Sequence, residues 1–234
     1  MAKILKATFD HISELTPSVR NFFLKISEEK NFTFQAGQFM NLYIPNGDGE
    51  IRVPLSIASS PVNTGYVEFC MKRTHGGRVS EFFHEISGGE TIKLEGPYGR
   101  FTLKNPGSSD LLFAATGTGI APIRSMIFSL FQKSFKKEVW LFFGVRHENE
   151  ILYHHEFEEL QKHHPNFHFI PVVSKPKNWQ GEVGYVQEKL MECIKLPEDK
   201  EAYICGLPKM VKEVRTILTD LGLSVDHIHF EQSV

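Results

Sequence analysis

The chain has 234 residues, of which 41% are hydrophobic and 23% charged, and its formal net charge is −2. This length fits two domains of roughly 100–130 residues, each large enough to bury a core. The near-neutral charge and the lack of basic runs argue against a nucleic-acid or anionic-membrane surface. No apolar run approaches the ~18 residues of a membrane span, and the first residues lack the apolar segment of a signal peptide. We therefore expect no membrane insertion.

Cysteine occurs three times, at Cys70, Cys193 and Cys205, and no CxxC pair is present. An odd count without paired spacing predicts neither a disulfide framework nor a cysteine-rich metal site. The cysteine spacing that holds a two-iron, two-sulfur cluster is also missing, which argues against a fused plant-type ferredoxin module. We expect a monomer in the reducing cytoplasm.

The eleven histidines also predict no metal site. His154-His155-Glu156 and His163-His164 lie on one predicted helix, but His155 and His163 are eight residues apart. No two histidines on that predicted helix have the four-residue spacing that places two ligands on one helix face for zinc. A solvated helix face is the favoured interpretation.

Residues 1–105 are predicted to form an antiparallel β-barrel domain. Short alternating or aromatic-rich segments are separated by turn sequences such as Asn46–Gly49 and Gly88-Gly89. Six strands with regular turn signals are typical of a small antiparallel barrel. A glycine turn at Gly76-Gly77 precedes a short predicted helix through Val79–His84. The predicted strands are Leu5–Ile12, Val19–Ile26, Phe39–Ile44, Val53–Ala58, Tyr66–Lys72 and Thr91–Leu94.

Residues 106–234 are predicted to form an α/β domain with a doubly wound parallel sheet, after a linker-like stretch at Lys104–Asp110. Strand and helix alternate, and the first strand is a continuous apolar run, as a strand buried on both faces requires. The predicted strands are Leu111–Thr116, Val139–Gly144, Phe167–Val173, Ala202–Gly206 and His227–Phe230. The predicted helices are Ile120–Lys133, Tyr153–His163, Val186–Ile194 and Lys209–Leu221.

The strongest single motif is ATGTGIAP at 115–122, between a buried strand and a helix. Its glycines let the backbone approach a ligand closely, and Pro122 suits the first helical turn. The free N–H groups and the dipole at the start of this helix favour an anion, ideally a pyrophosphate. A tight strand-to-helix turn without a ligand is the less favoured interpretation, because the whole strand–loop–helix context is present.

Two further segments carry chemistry only in combination. YICGLPKM at 203–210 ends the fourth strand of the second half, where a doubly wound sheet binds ligands. Its Cys205 either is a small buried hydrophobe or lines a site. In the first half, RVPLSIAS at 52–59 is followed by Cys70-Met71-Lys72 and by GGRVS at 76–80. The glycine turn of this last segment could hold a second phosphate at a helix start.

Taken together and in order, these segments resemble the ferredoxin–NADP reductase superfamily over nearly the whole chain. In the first half the matching segments are FQAGQFM at 34–40, VPLSIAS at 53–59, GGRVS at 76–80 and EGPYGRF at 95–101. In the second half they are ATGTGIAP at 115–122, FGVR at 143–146, VSKP at 173–176, YICGLPKM at 203–210 and FEQ at 230–232.

The resemblance implies an NAD(P)H-dependent flavoprotein reductase with FAD and NAD(P)H as cofactors. Ser56 is expected near the flavin N5, Cys205 beside the nicotinamide and Glu231 near the hydride path, and these three are the implied catalytic residues. The implied flavin-binding residues are Arg52, Pro54, Leu55, Ser56, Met71, Lys72, Gly77, Arg78, Val79 and Ser80. The implied nucleotide-binding residues are Gly117, Thr118, Gly119, Pro122, Arg146, Ser174, Lys175, Cys205, Gly206, Leu207 and Met210.

The chain departs from the family pattern at three positions. The family's arginine lies three residues before the serine, where this chain has Val53, and Arg52 is one residue earlier. Leu55 stands where the family usually has an aromatic residue beside the flavin. Leu207 stands where the family usually has the second proline after Cys-Gly.

The expected function is ferredoxin–NAD(P) reductase, and because a cluster domain is missing, any iron–sulfur partner is expected to be a separate protein. The alternatives are an NAD(P)H-flavin or ferric reductase, the reductase component of an oxygenase, and, from another class, a FAD-binding electron-transfer subunit with little activity alone. For the nucleotide, Arg146, Lys175 and Lys177 favour NADPH, because cations bind a 2′-phosphate, whereas Glu148 could serve the ribose of NADH.

Overall fold

The computed structural model describes residues 3–26, 32–74, 76–104, 107, 109–194 and 199–233. Contacts divide the chain into two compact units. The first unit comprises Met1–Leu103 and Arg124–Lys133, and the second Lys104–Ile123 and Ser134–Val234. The division between Leu103 and Lys104 lies close to the predicted limit at residue 105, and Arg124–Lys133 is grouped with the first unit. The predicted domain limits stay a prediction. The predicted linker Lys104–Asp110 lies partly outside the described residues.

The first unit is a six-stranded antiparallel sheet, which confirms the predicted fold class for this half. Its strands are β1 (Lys3–Thr16), β2 (Val19–Ile26), β3 (Phe39–Asn46), β4 (Gly49–Ser56), β5 (Tyr66–Lys72) and β6 (Thr91–Tyr98). Their order in the sheet is β4-β3-β6-β1-β2-β5. A short helix, α1 (Arg78–Glu85), follows β5.

Strict alternation of side chains builds the core of this unit. Met40, Leu42 and Ile44 on β3 are buried, whereas the residues between them face the other side of the sheet. Strand β4 begins at Gly49, four residues before the predicted start, because β3 and β4 form a hairpin that pairs Asn46 with Gly49. The turn-forming residues there are therefore the ends of two strands.

The second unit is a parallel sheet with helices, and it confirms the doubly wound prediction. Its strands are β7 (Asp110–Thr116), β8 (Val139–Val145), β9 (Phe167–Val173), β10 (Glu182–Val183), β11 (Lys200–Gly206) and β12 (Ile228–Gln232). Its helices are α2 (Ile120–Phe131), α3 (His154–His163), α4 (Val186–Cys193) and α5 (Pro208–Asp220), although the last residues of α2 belong to the first unit. The short strand β10 was not predicted, because two residues are too few to produce a pattern.

The strand order β10-β9-β8-β7-β11-β12 places a topological switch point between β7 and β11. The chain runs outward from β7 through β8 and β9, and then returns to the other side of β7 as β11. The loops after β7 and β11 therefore diverge and leave a crevice beyond their carboxyl ends, which is where open α/β sheets bind ligands.

Candidate functional site

Strand β4 carries the predicted flavin-binding segment, and its pleat sends alternate side chains to opposite faces. Val53 and Leu55 pack against the core of the first unit. Arg52 and Pro54 face the other way and line a cleft of about 470 Å³. Pro54 and Leu55, both expected beside the flavin, thus lie on opposite faces of the strand. The remaining residues that line the cleft are Phe39, Asn41, Glu95 and Tyr98.

A carboxylate held by tyrosines gives the cleft a negative charge beside its aromatic rings. The Tyr43 hydroxyl donates to Glu95 Oε2 at 2.6 Å. Hydrogen bonds from Tyr43 and then Tyr98 lower the pKa of Glu95, and the nearby Arg52 adds a smaller effect in the same direction. Arg52 therefore lines the same cleft as Glu95, on the face of β4 opposite to Val53. Its contact with a flavin phosphate stays a prediction.

Ser56 is the last residue of β4, and it is half-buried opposite Phe39 of β3. The next four residues, from Ile57 to Ser60, are fully buried. The Ile57 N–H donates to the Gln38 carbonyl oxygen at 2.9 Å. Ser56 thus stands where an exposed strand enters a rigid, buried segment.

The glycine turn before α1 presents free backbone at the start of a helix. Gly76 has a φ of +74° and open space where a side chain would lie. No described side chain caps the N-terminus of α1, so its first N–H groups can receive an anion. The buried Ser80 hydroxyl accepts the Thr74 N–H at 2.7 Å. Ser80 therefore shapes the turn, and the phosphate contacts expected of Gly77, Arg78 and Ser80 stay predictions.

Three predicted flavin residues lie on different elements of the first unit. Leu55 on β4, Met71 on β5 and Val79 on α1 are partly buried and pack against the same core cluster. Lys72, at the end of β5, is exposed beside Met71. These side chains are therefore apolar groups that are only partly covered by the protein, and Lys72 adds a cation next to one of them.

In the second unit, the loops after β7 and β11 are in direct backbone contact. A Cβ atom on Gly119 would lie 2.5 Å from the Cys205 carbonyl oxygen, and one on Gly206 would lie 2.8 Å from the Thr116 nitrogen. Only glycine permits this approach at either position. Gly117 has a φ of +56° and open space around it. The two motifs of the second half therefore form one cradle at the switch point.

Thr116 joins the two loops and was not singled out from the sequence. Its Oγ1 accepts the Leu207 N–H at 2.9 Å. Leu207 itself is exposed, whereas Met210 is buried on the first turn of α5. Thr116 lies inside the ATGTG motif, so its position between a strand and two glycines was the available signal.

Cys205 and Glu231 are paired neighbours on β11 and β12. Burial, with a smaller contribution from Glu231, raises the pKa of the Cys205 thiol far above its usual range. Burial also raises the pKa of the Glu231 carboxyl. This shift favours the protonated thiol over the thiolate at neutral pH.

The ends of β8 and β9 are joined by hydrogen bonds that use Glu148. Its carboxylate accepts the Lys177 N–H at 3.2 Å and the Asn178 N–H at 2.7 Å. The pKa of Glu148 is lowered, first by its own backbone N–H and then by that of Asn178. The His147 ring nitrogen Nδ1 lies 2.7 Å from the Lys175 carbonyl oxygen. These bonds occupy Glu148 and leave the Lys175 side chain exposed.

Comparison with known proteins assigns both halves of the chain. The oxidoreductase FAD-binding domain family matches residues 6–103, and the oxidoreductase NAD-binding domain family matches residues 113–216. Ferredoxin–NADP reductase B of Sorangium cellulosum is 33% identical over 99% of this chain and 98% of its own length. The chain belongs to the ferredoxin–NADP reductase superfamily. It is an NAD(P)H-dependent flavoprotein reductase with FAD and NAD(P) as its cofactors.

A solved structure and a further relative are also similar to this reductase. The structure of a ferredoxin–NADP⁺ reductase from Neisseria gonorrhoeae with bound FAD and NADP has a TM-score of 0.86, 26% identity and full coverage of both chains. The phenol hydroxylase P5 protein of Acinetobacter pittii is 32% identical over 97% of this chain and 65% of its own length.

The residues of the reductase fit both cofactors. The Gly119–Gly206 cradle is too tight for a side chain yet open at Gly117, which suits the phosphates of a dinucleotide. The uncapped start of α1 and the partly buried apolar side chains of Leu55, Met71 and Val79 suit a flavin nucleotide. Among the residues with described placement, no group of three or more His, Cys, Asp and Glu side chains could hold a metal. No described helix is long and apolar enough to cross a bilayer.

Proposed function

We propose that this reductase oxidises NADPH and delivers the electrons to a separate one-electron iron–sulfur protein of the ferredoxin type. The similarity to a ferredoxin–NADP reductase along that protein's whole length is the observation that supports this most. When bound, FAD supplies the chemistry that joins two-electron nicotinamide oxidation to one-electron release. The protein contributes binding, orientation and electrostatics.

The proposed binding roles use the glycine turn before α1 in the first unit and the Gly119–Gly206 cradle in the second unit. In the first unit, the backbone around Gly77 and the Arg78 side chain would hold the FAD pyrophosphate. Leu55, Met71 and Val79 would contact its apolar parts. In the second unit, the N–H groups of Gly117–Gly119 would bind the nucleotide pyrophosphate, and Gly206 and Leu207 would border the nicotinamide. These roles rest on exposed backbone, on half-buried apolar side chains, and on the exposed side chains of Arg78 and Leu207.

Three side chains would act near the reacting atoms. The Ser56 hydroxyl would hydrogen-bond the flavin edge and hold the ring in position. Cys205 keeps its proton at Sγ, so it would form a neutral, polarisable wall beside the nicotinamide. Glu231 keeps a proton on its carboxyl to a higher pH than an exposed glutamate does, because it is partly buried. It would limit negative charge where hydride passes.

NADPH is the proposed nucleotide because the acid that could bind NADH is occupied. Both Glu148 oxygens accept backbone N–H groups of the loop after β9. The cations Arg146, Lys175 and Lys177 are exposed at the same strand ends. Arginine and lysine bind phosphate well, whereas ribose hydroxyls are usually bound by a free carboxylate. The experiment is a comparison of kcat/KM for NADPH and NADH, and a preference for NADH of tenfold or more would oppose the proposal.

The reductase component of an oxygenase is the second candidate function. The similarity to the phenol hydroxylase P5 protein favours it, although this chain covers only 65% of that relative. A turnover assay with purified ferredoxin, with an oxygenase component and with ferric chelate separates these acceptors. Rapid one-electron reduction of ferredoxin supports the first candidate.

We also propose that the protein is located in the cytoplasm as a monomer. Cys70, Cys193 and Cys205 are all free thiols, as expected in a reducing compartment. Fractionation of the source cells and sedimentation of the purified chain are the corresponding tests.

A further inference from the structure

The first unit contains a buried ion pair next to the residues that follow β4, the strand of the predicted flavin-binding segment. Arg124 Nη1 and Glu68 Oε2 are 3.1 Å apart, and the two residues are 9% and 3% exposed. The Asn21 side-chain amide donates to the same Glu68 oxygen at 3.0 Å. Buried ion pairs are costly to desolvate and are often replaceable by apolar residues without loss of stability. This pair therefore invites an explanation other than stability.

Hydrogen bonds from both partners hold the segment that directly follows β4. Arg124 Nη1 also donates to the Ala58 carbonyl oxygen at 2.8 Å, and the next residue, Ser125, donates from Oγ to the Ser59 carbonyl oxygen at 2.6 Å. On the other side, the Ala58 N–H donates to the Glu68 carbonyl oxygen at 2.8 Å. The Glu68 N–H donates to Ser59 Oγ at 3.1 Å. Two consecutive residues are thus fixed from two directions.

We propose that Arg124, Ser125 and Glu68 form a bracket that positions Ser56, and that Arg124 is a positioning residue for hydride transfer. This inference rests on the proposed role of Ser56. Only two soft dihedral angles per residue separate Ser56 from Ala58, so the bracket leaves little freedom two residues earlier. A displacement of about 1 Å near the reacting atoms can cost roughly a hundredfold in rate.

A purely structural role makes a different prediction, and paired variants distinguish the two. Arg124→Met leaves the Glu68 charge buried and unpaired, so it should lower the melting temperature strongly. Arg124→Met/Glu68→Gln removes both charges and keeps an acceptor for Asn21, so it should recover much of that stability. Both variants lack the Arg124 guanidinium that donates to the Ala58 carbonyl oxygen. If the bracket positions Ser56, the rate should stay low even where stability returns.

The experiment measures the limiting rate of flavin reduction by NADPH in FAD-loaded wild type, Arg124→Met and Arg124→Met/Glu68→Gln. We expect a loss of about tenfold or more in both variants, with the Kd for NADPH unchanged. The visible circular dichroism of the bound flavin should change in both, and amide exchange at Ala58 should become faster in the FAD-free chain. Arg20→Met/Glu14→Gln is the matched control, because Arg20 pairs with Glu14 at 2.6 Å and donates to the His84 carbonyl oxygen at 2.9 Å in the same unit. That control should keep the wild-type rate.

A cycle with Ser56→Ala separates failure of the inference from failure of the proposed function. If Ser56→Ala lowers the rate and the double bracket variant causes no further loss in that background, the inference is supported. A wild-type rate and spectrum in Arg124→Met/Glu68→Gln would overturn the inference alone, as would a further tenfold loss on top of Ser56→Ala. A wild-type rate in Ser56→Ala would overturn the proposed role of Ser56 and the inference with it.

Discussion

The two units build their candidate sites by different means. In the second unit, the site is made of backbone: the loops at Gly119 and Gly206 approach so closely that a methyl group on either glycine would overlap another residue. In the first unit, the site depends on side chains, because the pleat of β4 decides which of Pro54 and Leu55 faces the cleft and which faces the core. A backbone site is strongly encoded by glycine spacing, whereas a side-chain site depends on register.

The largest expected effect tests the side-chain half of this comparison. Replacing Ser56 with Ala should lower the rate of flavin reduction by NAD(P)H by roughly a hundredfold, because a hydroxyl that orients the reacting ring is lost. FAD content should be unchanged. Single-turnover stopped-flow kinetics measure the rate, and Ser13→Ala on β1 is the matched control. Equal rates for Ser56→Ala and wild type would remove Ser56 from the catalytic residues.

The second prediction tests the backbone half. Gly119→Ala should raise the KM for NADPH roughly tenfold or more, because its Cβ would lie 2.5 Å from the Cys205 carbonyl oxygen and force the cradle apart. FAD content should stay at the wild-type level. Gly49→Ala is the control, since its Cβ would have only the Asn46 carbonyl oxygen within 4 Å, at 3.9 Å. Steady-state kinetics with an unchanged KM for Gly119→Ala would contradict the close approach.

A smaller effect on nucleotide preference is expected from the exposed cations that are proposed to bind the 2′-phosphate of NADPH. Lys175→Glu should reduce the preference for NADPH over NADH roughly tenfold, because a negative charge replaces a phosphate-binding cation. The readout is the ratio of kcat/KM values for the two nucleotides. Lys212→Glu, exposed on α5, makes the same charge change as a control. A ratio that Lys175→Glu leaves unchanged would show that this cation does not contact the 2′-phosphate.

The smallest predicted effect concerns the pH dependence of stability. Burial raises the folded-state pKa of Glu231 above its unfolded value, so ionisation opposes folding as pH rises through that folded pKa. Below the unfolded pKa both states are protonated and the penalty is absent. Glu231→Gln should therefore raise the melting temperature at pH 7, by at most a few degrees because the carboxyl is partly exposed, and have little effect near pH 4. Thermal unfolding at both pH values measures this difference, and an equal shift at both would be inconsistent with it.

The sequence predicted most of the fold because its two periodicities are clear. Alternation marked the six strands of the first unit, and apolar runs followed by helical periods marked the second. The Gly49 start of β4 was missed because Asn46–Gly49 has turn chemistry even though its end residues pair. The placement of Arg124–Lys133 with the first unit was also beyond reach, because it depends on contacts distant in sequence such as Arg124 with Glu68.

The site could be predicted where motif and backbone coincide. ATGTGIAP and YICGLPKM identified the cradle directly. Hydrogen bonds within the protein could not be predicted from the motifs. Ser80 accepts the Thr74 N–H, and Glu148 accepts backbone N–H groups of the loop after β9. A residue type at a motif position indicates what it can bind, but only the fold decides whether the protein itself already occupies it.

The central claim is that one chain binds FAD and reduces it with a nicotinamide nucleotide. The most direct test combines flavin extraction with an anaerobic titration of the purified protein. We expect that heating the protein releases FAD. We also expect that NADPH bleaches the absorbance of the bound flavin with no second protein present. Release of FMN alone, or bound flavin that neither NADPH nor NADH bleaches, would contradict the account.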